Sequence, residues 1–361
     1  MLGLMGLLGA LFVGVIADAA MSSAETSDAE GSDENSLPPD GANEGETVDI
    51  LDWVDAEAAH AEGVSPETPD MGESSGAQDD ATSDDTPDEP EPGIELSGGG
   101  NADILTGNAG DDTVTGGDGD DQLGGREGDD AIAGGLGDDY LRGGDGADTL
   151  LGGAGADDLQ GEAGDDALDG GNGSDLLSGH DGSDSLSGGM GADSLLGGSG
   201  DDSLAGDEGD DWLTAGFGDD FLIGGAGSDT LDGDFGNDTI SGYDPAGVGS
   251  DVDFLNGGEG DDVLTLGTGD IATGSQGSDT FQLGDWLSDG ETTRIMDYDP
   301  DEDQIVVVYD AVAHPDPQIT LEPVDATDDV TVLLDGMPLA VVNGGAGLTA
   351  ASIRLSVGIA A

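Results

Sequence analysis

The sequence predicts an all-β protein whose central part is a parallel β-roll, a solenoid of short stacked strands. Three observations lead to this prediction. Nine-residue units follow one another without insertion from Gly98 to Ser241, a span of sixteen units. Each unit joins a glycine-rich turn to a short strand motif centred on an aliphatic residue. Across the whole chain, large apolar side chains that could fill a globular core are scarce, since 70 of the 361 residues are Gly and only 4% are aromatic.

The chain begins with a continuously apolar segment at residues 2–17, close to the minimum length of a membrane span. It ends at Ala17-Asp18-Ala19, which resembles a signal-peptide cleavage pattern, but no Lys or Arg precedes it. The spacing of Gly6, Ala10 and Gly14 equally suits a helix packed against another helix. Residues 1–20 are therefore interpreted as an apolar helix or signal-like segment, and cleavage, anchoring and packing all stay open.

Residues 21–97 are acidic and rich in Ser, Thr, Pro, Gly and Ala, a composition that predicts a disordered spacer. One apolar interruption, residues 48–54 (VDILDWV), suits a transient helix or a docking segment, and we favour the transient helix. Residues 72–76 (GESSG) match the nucleophile-elbow pattern G-x-S-x-G. No strand or helix is predicted around them, so we interpret the match as chance.

The repeat region, residues 98–282, follows the pattern G-G-x-G-x-D-x-U-x, in which U is aliphatic. In all sixteen consecutive units position six is Asp and position eight is Leu, Ile or Val. Because side chains alternate along a strand, position eight is expected to point inward and positions seven and nine outward. After Ser241 the period slips by six residues, and two further units follow at Gly257–Thr265 and Gly274–Gln282.

Charge indicates what folds these repeats. The chain has 83 Asp and Glu against 4 Lys and Arg, a formal net charge of −79, which opposes a compact state and repels nucleic acid and anionic lipid. With no Cys and three scattered His, the oxygen-rich turns favour a hard divalent cation, and Ca²⁺ fits best. Since Ca²⁺ takes about six to eight oxygens, neighbouring turns must share each ion. The predicted ligands are the position-six aspartates, namely Asp103, Asp112, Asp121, Asp130, Asp139, Asp148, Asp157, Asp166, Asp175, Asp184, Asp193, Asp202, Asp211, Asp220, Asp229, Asp238, Asp262 and Asp279.

These nonapeptides resemble those of the RTX (repeats-in-toxin, hemolysin-type) calcium-binding family. The resemblance implies a right-handed parallel β-roll, with Ca²⁺ held between successive turns by position-six aspartates and turn carbonyls. It also implies export from a Gram-negative bacterium through a type I channel, directed by an uncleaved C-terminal signal. Residues 295–305 are similar to the segment that follows the roll in this family, and residues 348–361 to its apolar C-termini. The apolar N-terminus departs from the usual type I pattern.

Residues 283–361 are predicted to form a small β cap that also carries this secretion signal. Four strand-like runs separated by turn residues support the cap, at residues 305–309, 319–321, 330–334 and 339–342. Before them, aspartates alternate from Asp297 to Asp303, which suits either an additional Ca²⁺ site or a solvated acidic turn.

Three aromatic residues are expected on the outer surface of the roll. Tyr140, Trp212 and Phe221 all occupy outward position seven. A patch near the thirteenth and fourteenth units would suit a partner or a sugar. Packing against neighbouring side chains is the interpretation we favour. His180, at position two, is interpreted as a tolerated turn substitution.

We expect a secreted, non-catalytic calcium-binding protein, structural or associated with the cell surface, that folds on Ca²⁺ binding after export. Catalytic residues are not predicted, because the spacer is too polar and the cap has no catalytic cluster. The alternatives are a Ca²⁺-dependent adhesin or ligand-binding module, and an RTX-type hydrolase with an unrecognised active site. Expected partners are calcium ions, the type I secretion machinery, and a cell surface or polysaccharide, with membrane contact only through residues 2–17.

Overall fold

The computed structural model describes residues 92–243, 251–284, 286–287 and 292–358. All of them belong to one compact unit, Thr82–Ala361. The predictions for residues 1–20, for the spacer up to residue 91 and for the motif at residues 72–76 lie outside the described residues.

The described chain consists almost entirely of strands in two sheets. The first sheet contains β1 (Glu95–Ser97), β3 (Thr113–Asp118), β5 (Ala131–Leu136), β7 (Thr149–Ala154), β9 (Ala167–Asn172), β11 (Ser185–Met190), β13 (Ser203–Glu208), β15 (Phe221–Ala226), β17 (Thr239–Ser241), β19 (Val263–Thr265), β21 (Thr280–Gly284), β23 (Gln304–Asp310) and β27 (Arg354–Gly358), in this spatial order. The second sheet contains β2 (Ile104–Thr106), β4 (Gln122–Glu127), β6 (Tyr140–Asp145), β8 (Asp158–Ala163), β10 (Leu176–Asp181), β12 (Ser194–Ser199), β14 (Trp212–Phe217), β16 (Thr230–Phe235), β18 (Phe254–Glu259), β20 (Ile271–Gln276), β22 (Thr293–Ile295), β26 (Met337–Val342), β25 (Val330–Leu334) and β24 (Ile319–Pro323), again in spatial order. Among the described residues, one 3-10 turn is present at Gly345–Gly347.

Two nonads make one coil of the solenoid. Consecutive nonads place their strands in alternate sheets, and each strand pairs in parallel with the strand one coil later. The partner of Leu177 on β10 is Leu195 on β12, eighteen residues further along the chain. The predicted all-β parallel roll is therefore confirmed.

The strands of the regular coils, β3 to β16, are six residues long and so exceed the three residues that the sequence pattern alone predicts. Strand β10, for example, covers positions seven to nine of one nonad and positions one to three of the next. The turn is thereby reduced to positions four to six. Glycine at position four is required by stacking: Gly137 has a φ of +125°, and a Cβ atom there would lie 2.4 Å from the carbonyl oxygen of Gly119 in the preceding coil.

The core is a narrow ladder of aliphatic side chains. Position eight is buried in every nonad from Val114 to Ile240, whereas the first one, Leu105, is only partly buried. The flanking positions seven and nine face outward, as predicted. Because each unit buries about one large apolar side chain, a coil gains its stability from its neighbours.

The eighteen-residue period changes after β16 and again after β18. Thr230 on β16 pairs with Phe254 on β18, a separation of 24 residues that contains the predicted six-residue excess. Phe254 pairs in turn with Ile271, only 17 residues on. Strand stacking continues across both steps, so the change in length is taken up between strands.

The C-terminal strands coincide with the four predicted runs, but they are not a separate sheet. Strand β23 extends the first sheet by pairing in parallel with β21, and β26 extends the second by pairing with β22. In the described part of the chain, the antiparallel pairs are β24 with β25 and β25 with β26. Here the core widens: Phe281 is fully buried and lies in one cluster with Ile305 and Leu334.

Within the described part of the chain, no helix has the length and hydropathy needed to cross a membrane. The apolar segment at residues 2–17 lies outside that part.

Two adjacent leucines test the role of the aliphatic ladder. Leu177 at position eight is completely buried, and Leu176 at position seven is 48% exposed. We expect Leu177→Ala to lower the free energy of unfolding of the calcium-loaded protein by about 2–5 kcal/mol, because it opens a cavity in the core. Leu176→Ala is the control and should change it by about 0.5 kcal/mol or less. Urea denaturation monitored by circular dichroism measures both, and equal losses would contradict the assigned core.

Candidate metal centre

The predicted ligand residues are brought together in two rows, one along each edge of the roll where the turns stack. Of the eighteen aspartates predicted from the sequence, all except Asp103 are buried, with at most 3% of their surface exposed. Asp103, in the first nonad, is half-buried. A row of buried carboxylates requires compensation for each charge that is removed from water.

One oxygen of each carboxylate is satisfied by the backbone. The N–H of a position-six aspartate donates to Oδ1 of the aspartate one coil later, as from Asp166 to Asp184 and from Asp175 to Asp193, both at 2.8 Å. The same bond continues over the change of period, from Asp238 to Asp262 at 2.8 Å. These bonds fix the orientation of every carboxylate in the row.

The other oxygen has no such partner. Among the described residues, Oδ2 is buried without a hydrogen bond in fifteen of these aspartates: Asp121, Asp130, Asp139, Asp148, Asp157, Asp166, Asp175, Asp184, Asp193, Asp202, Asp211, Asp220, Asp229, Asp238 and Asp262. At the N-terminal end the arrangement differs, since Oδ2 of Asp103 accepts from the N–H of Gly99 and Oδ2 of Asp112 from that of Asn108. An orphaned, buried carboxylate oxygen is costly unless a proton or a cation neutralises it.

Beside most of the orphaned oxygens, a backbone carbonyl of the next coil also lies close to the glycine at position one. The nonad of Asp220 differs, because Ala215 occupies its position one. A Cβ atom on Gly143 would lie 2.2 Å from Oδ2 of Asp148 and 2.8 Å from the carbonyl oxygen of Gly161 in the next coil. Gly116 shows the same arrangement with Asp121 and Gly134. Glycine at position one thus leaves free the space on which a carboxylate oxygen and a carbonyl oxygen from two coils converge.

These oxygens fit a hard cation. Ca²⁺ is bound by carboxylate and carbonyl oxygens, often with several backbone ligands. No group of three or more His, Cys, Asp or Glu side chains among the described residues could hold a metal ion by itself. A cation beside one of these aspartates would take its other ligands from backbone carbonyls of two coils, such as that of Gly161 near Asp148.

Burial also changes the protonation of these aspartates. Desolvation raises the pKa of Asp148, Asp157 and Asp262 to about 6, and that of Asp166 and Asp202 to about 7. The N–H bond to Oδ1 acts in the opposite direction but is outweighed. A metal-free roll at neutral pH therefore holds carboxylates in surroundings that disfavour their charge.

Two aspartates in the irregular part of the array were missed in the sequence. Asp253 and Asp270 are buried, and Asp253 donates its N–H to Oδ1 of Asp270 at 3.2 Å. A Cβ atom on Gly242 would lie 2.7 and 2.8 Å from their two Oδ2 atoms. Desolvation and the neighbouring Asp270 raise the pKa of Asp253 to about 8. The signal was the pattern D-x-U-x at Asp253-Phe254-Leu255-Asn256, without the glycines that normally precede it.

The alternating aspartates after the array terminate the row. Oδ1 of Asp303 accepts the N–H of Asp279 at 3.0 Å, and its Oδ2 accepts that of Asp299 at 2.7 Å. Asp297 accepts from the N–H groups of Gly274 and Ser275. Because these carboxylates are occupied by backbone donors, the arrangement does not favour the additional Ca²⁺ site that the sequence left open.

The structure also places the histidine and the three aromatic residues considered in the sequence. His180 has a φ of +79° at position two, a turn-like conformation within strand β10 that agrees with a tolerated substitution. Trp212 lies on β14 in the second sheet and Phe221 on β15 in the first. The single aromatic patch considered for these two residues is therefore wrong, because consecutive nonads alternate between sheets. The hydroxyl of Tyr140 donates to Oε1 of Gln160 at 3.1 Å.

The raised pKa values predict how metal-free stability depends on pH. In the unfolded chain these aspartates titrate near 3.8, whereas in the roll Asp166 and Asp202 titrate at about 7. The folded state therefore retains protons that the unfolded state releases, so its stability is greatest below about pH 4 and falls as pH rises to about 7. We expect the β spectrum of the protein in EDTA to weaken over this range. Millimolar Ca²⁺ at pH 7.5 is the control that should restore it, and a metal-free β signal that grows with pH would contradict the burial of these groups.

Comparison with known proteins gives a match for the repeat region. Residues 97–132, 124–159, 133–168, 169–204 and 205–240 match the family model of the RTX calcium-binding nonapeptide repeat. No curated protein matches the chain. The matched segments together span residues 97–240, the region that forms the regular coils described above. The repeat array of this chain is thus made of RTX calcium-binding nonapeptides.

Proposed function

We propose that the protein is a secreted, non-catalytic structural protein that folds when Ca²⁺ binds between the coils of its roll. The observation that carries this proposal is the row of buried Oδ2 atoms without hydrogen-bond partners, most of them near a carbonyl oxygen of the next coil. Ca²⁺ would neutralise these oxygens and join two coils at the same time. The ligands we propose are the eighteen predicted aspartates, together with Asp253 and Asp270. In Asp103, Asp112 and Asp270 the Oδ2 atom accepts a backbone N–H, and that bond would give way to the ion.

Calcium is favoured over other metals by the chemistry of the donors. The chain has no Cys and only three His, which argues against Zn²⁺ and other metals that prefer nitrogen or sulfur ligands. Mg²⁺ prefers a small octahedral shell and tends to keep its water ligands, whereas these oxygens come from fixed backbone and carboxylate groups. The larger, more flexible coordination shell of Ca²⁺ suits such a site.

Net charge supports folding that depends on the ion. With a formal charge of −79, the metal-free chain repels itself. About fourteen ions, one between each pair of flanking turns, would leave a charge of about −51. Extracellular Ca²⁺ modules bind with dissociation constants of about 10⁻⁴–10⁻³ M, so the chain would stay unfolded at cytosolic Ca²⁺ levels and fold outside the cell.

Secretion rests on the repeats and on the C-terminal residues. RTX-type export by a type I channel needs a chain that can be threaded, and a metal-free, acidic, cysteine-free chain meets that need. Residues 348–361 contain β27, whose Leu355 and Val357 are exposed apolar side chains. We favour a structural role at the cell surface, because the buried position-six carboxylates of the described residues bond successive coils to each other.

A calcium titration tests this proposal directly. We expect the far-UV circular dichroism spectrum of the full chain to change from coil to β in one cooperative transition, at Ca²⁺ concentrations of about 10⁻⁵–10⁻³ M. Mg²⁺ at the same concentrations is the control and should produce little change. A spectrum that is indifferent to Ca²⁺ would rule out folding on ion binding.

Two neighbouring aspartates offer a matched pair of variants. Asp166 is buried at position six, and Asp165 is exposed at position five, where its Oδ1 accepts the N–H of Ser183 at 2.9 Å. We expect Asp166→Asn to raise the Ca²⁺ midpoint about threefold or more and to reduce cooperativity, because it removes a charged ligand shared by neighbouring coils. Asp165→Asn should leave the midpoint nearly unchanged. If both variants shift it equally, the proposed ligands are not the position-six aspartates.

A further inference from the structure

Four aromatic side chains stand on one outer face of the roll. Trp212 and Phe217 on β14, Phe235 on β16 and Phe254 on β18 are 59%, 59%, 37% and 51% exposed. The whole chain has only 3 Trp, 4 Tyr and 6 Phe, so this is a concentration of its aromatic residues. We call the outward face of these three strands the aromatic platform. Large apolar side chains kept in water in this way usually mark a binding surface.

The register of the strands arranges the platform in two rows. In one row Trp212 pairs with Thr230 and Thr230 with Phe254, so the two aromatic residues lie two strands apart, about 10 Å. In the other row Phe217 and Phe235 are direct partners, and their rings stack at 4.8 Å with 8° between their planes. Five residues along the strand separate the rows, or about 16 Å.

The rings are held in place before any ligand arrives. The indole Nε1 of Trp212 donates to Oγ1 of Thr214 at 3.2 Å, two residues along the same strand. The Phe217 and Phe235 rings support each other by stacking. A surface whose side chains are already ordered loses less entropy when it binds, which favours recognition by a rigid face of the roll.

Between the rows lies a polar strip formed by Thr214, Asp232 and Asn256, which occupy partner positions on the three strands. The amide of Asn256 donates to Asp232 at 2.8 Å, and both residues keep further hydrogen-bonding capacity. A ligand that covers the platform must therefore offer flat, weakly polar faces for the rings and hydroxyl groups for the strip. Sugars combine both, because the C–H groups of a sugar ring face the negative π-surface of an aromatic ring.

Charge narrows the class of ligand further. Strands β14, β16 and β18 carry no Lys or Arg; they expose the acidic residues Asp234 and Glu259 and hold Asp232 half-buried. An anionic glycan, an anionic membrane or a second copy of this acidic chain would be repelled. An apolar protein partner would leave the polar strip without hydrogen bonds.

We propose that the aromatic platform binds an uncharged, extended polysaccharide. The separation of Trp212 and Phe254 by two strands is close to the repeat of a disaccharide in an extended β-linked glycan, so sugar rings could stack on both at once. The polysaccharide would run across the strands, parallel to the roll axis, with its hydroxyl groups over the polar strip. The proposal rests on the calcium-dependent fold proposed above, since only the stacked coils align these four residues.

The test uses the full chain in millimolar Ca²⁺ and measures binding by affinity electrophoresis and isothermal titration. Soluble hydroxyethyl cellulose, galactomannan and xyloglucan are the neutral probes, and carboxymethyl cellulose is the anionic counterpart. We expect the wild type to bind at least one neutral polymer and to bind carboxymethyl cellulose at least tenfold more weakly. Trp212→Ala and the double variant Phe217→Ala/Phe235→Ala should each weaken neutral binding about tenfold.

Phe221→Ala is the matched control. Phe221 is 43% exposed at the same position of its nonad as Trp212, but it lies on the opposite sheet. It should bind within twofold of the wild type. If Phe221→Ala weakens binding as much as Trp212→Ala, the platform is not the site.

Circular dichroism of the same samples separates the two proposals. A β spectrum with Ca²⁺ but no binding to any neutral polymer overturns the platform proposal and leaves the calcium proposal standing. A coil spectrum with Ca²⁺ overturns both. Calcium-loaded wild type that dimerises in analytical ultracentrifugation, with Trp212→Ala monomeric, would show that a second copy covers this face and would also overturn the polysaccharide proposal.

Discussion

The roll depends on one repeated interaction, the contact between the carboxylate of a position-six aspartate and the coil that follows or precedes it. In Asp166 this side chain has two functions. Its Oδ1 accepts the N–H of Asp148, and its buried Oδ2 lies beside the glycine of its own nonad without a partner. The first function sets the spacing of the coils. The second leaves a buried carboxylate oxygen without a partner, which is unfavourable until a cation neutralises it. The same side chain therefore sets the geometry of the fold and creates the requirement for an ion.

Because the core is narrow, the stability of the roll depends largely on this aspartate interaction. Each coil buries one aliphatic side chain from each sheet, such as Leu168 and Leu177, while the surrounding strands consist of Gly, Ser, Asp and small residues. Hydrophobic burial on that scale is small beside the entropy lost on ordering eighteen residues. Only near Phe281 and Ile305, where the last strands join the sheets, does the core resemble that of an ordinary β protein.

The regular part of the structure was predictable because its sequence repeats without interruption. The aliphatic residue at position eight and the aspartate at position six determine the coil, the core and the candidate ligands from Asp112 to Asp238. Two features escaped prediction. Asp253 and Asp270 occupy ligand positions without the usual glycines, so the pattern did not reveal them. The alignment of Trp212 and Phe254 in one row, two strands apart, depends on the 24-residue step between Thr230 and Phe254. The local nine-residue spacing does not determine that step.

The bonds between aspartates also give the roll a direction. In the described row the donor always precedes the acceptor, as from Asp148 to Asp166 and from Asp262 to Asp279, and Asp303 closes the series. The N–H of each position-six aspartate therefore finds its acceptor in the coil on its C-terminal side, whereas position-five carboxylates such as Asp165 accept from the coil that follows them. The last strands are the base on which earlier coils can be laid one after another, each finding its acceptor already in position. Delivery of the chain with its C-terminus first would present that base before any of the layers it supports.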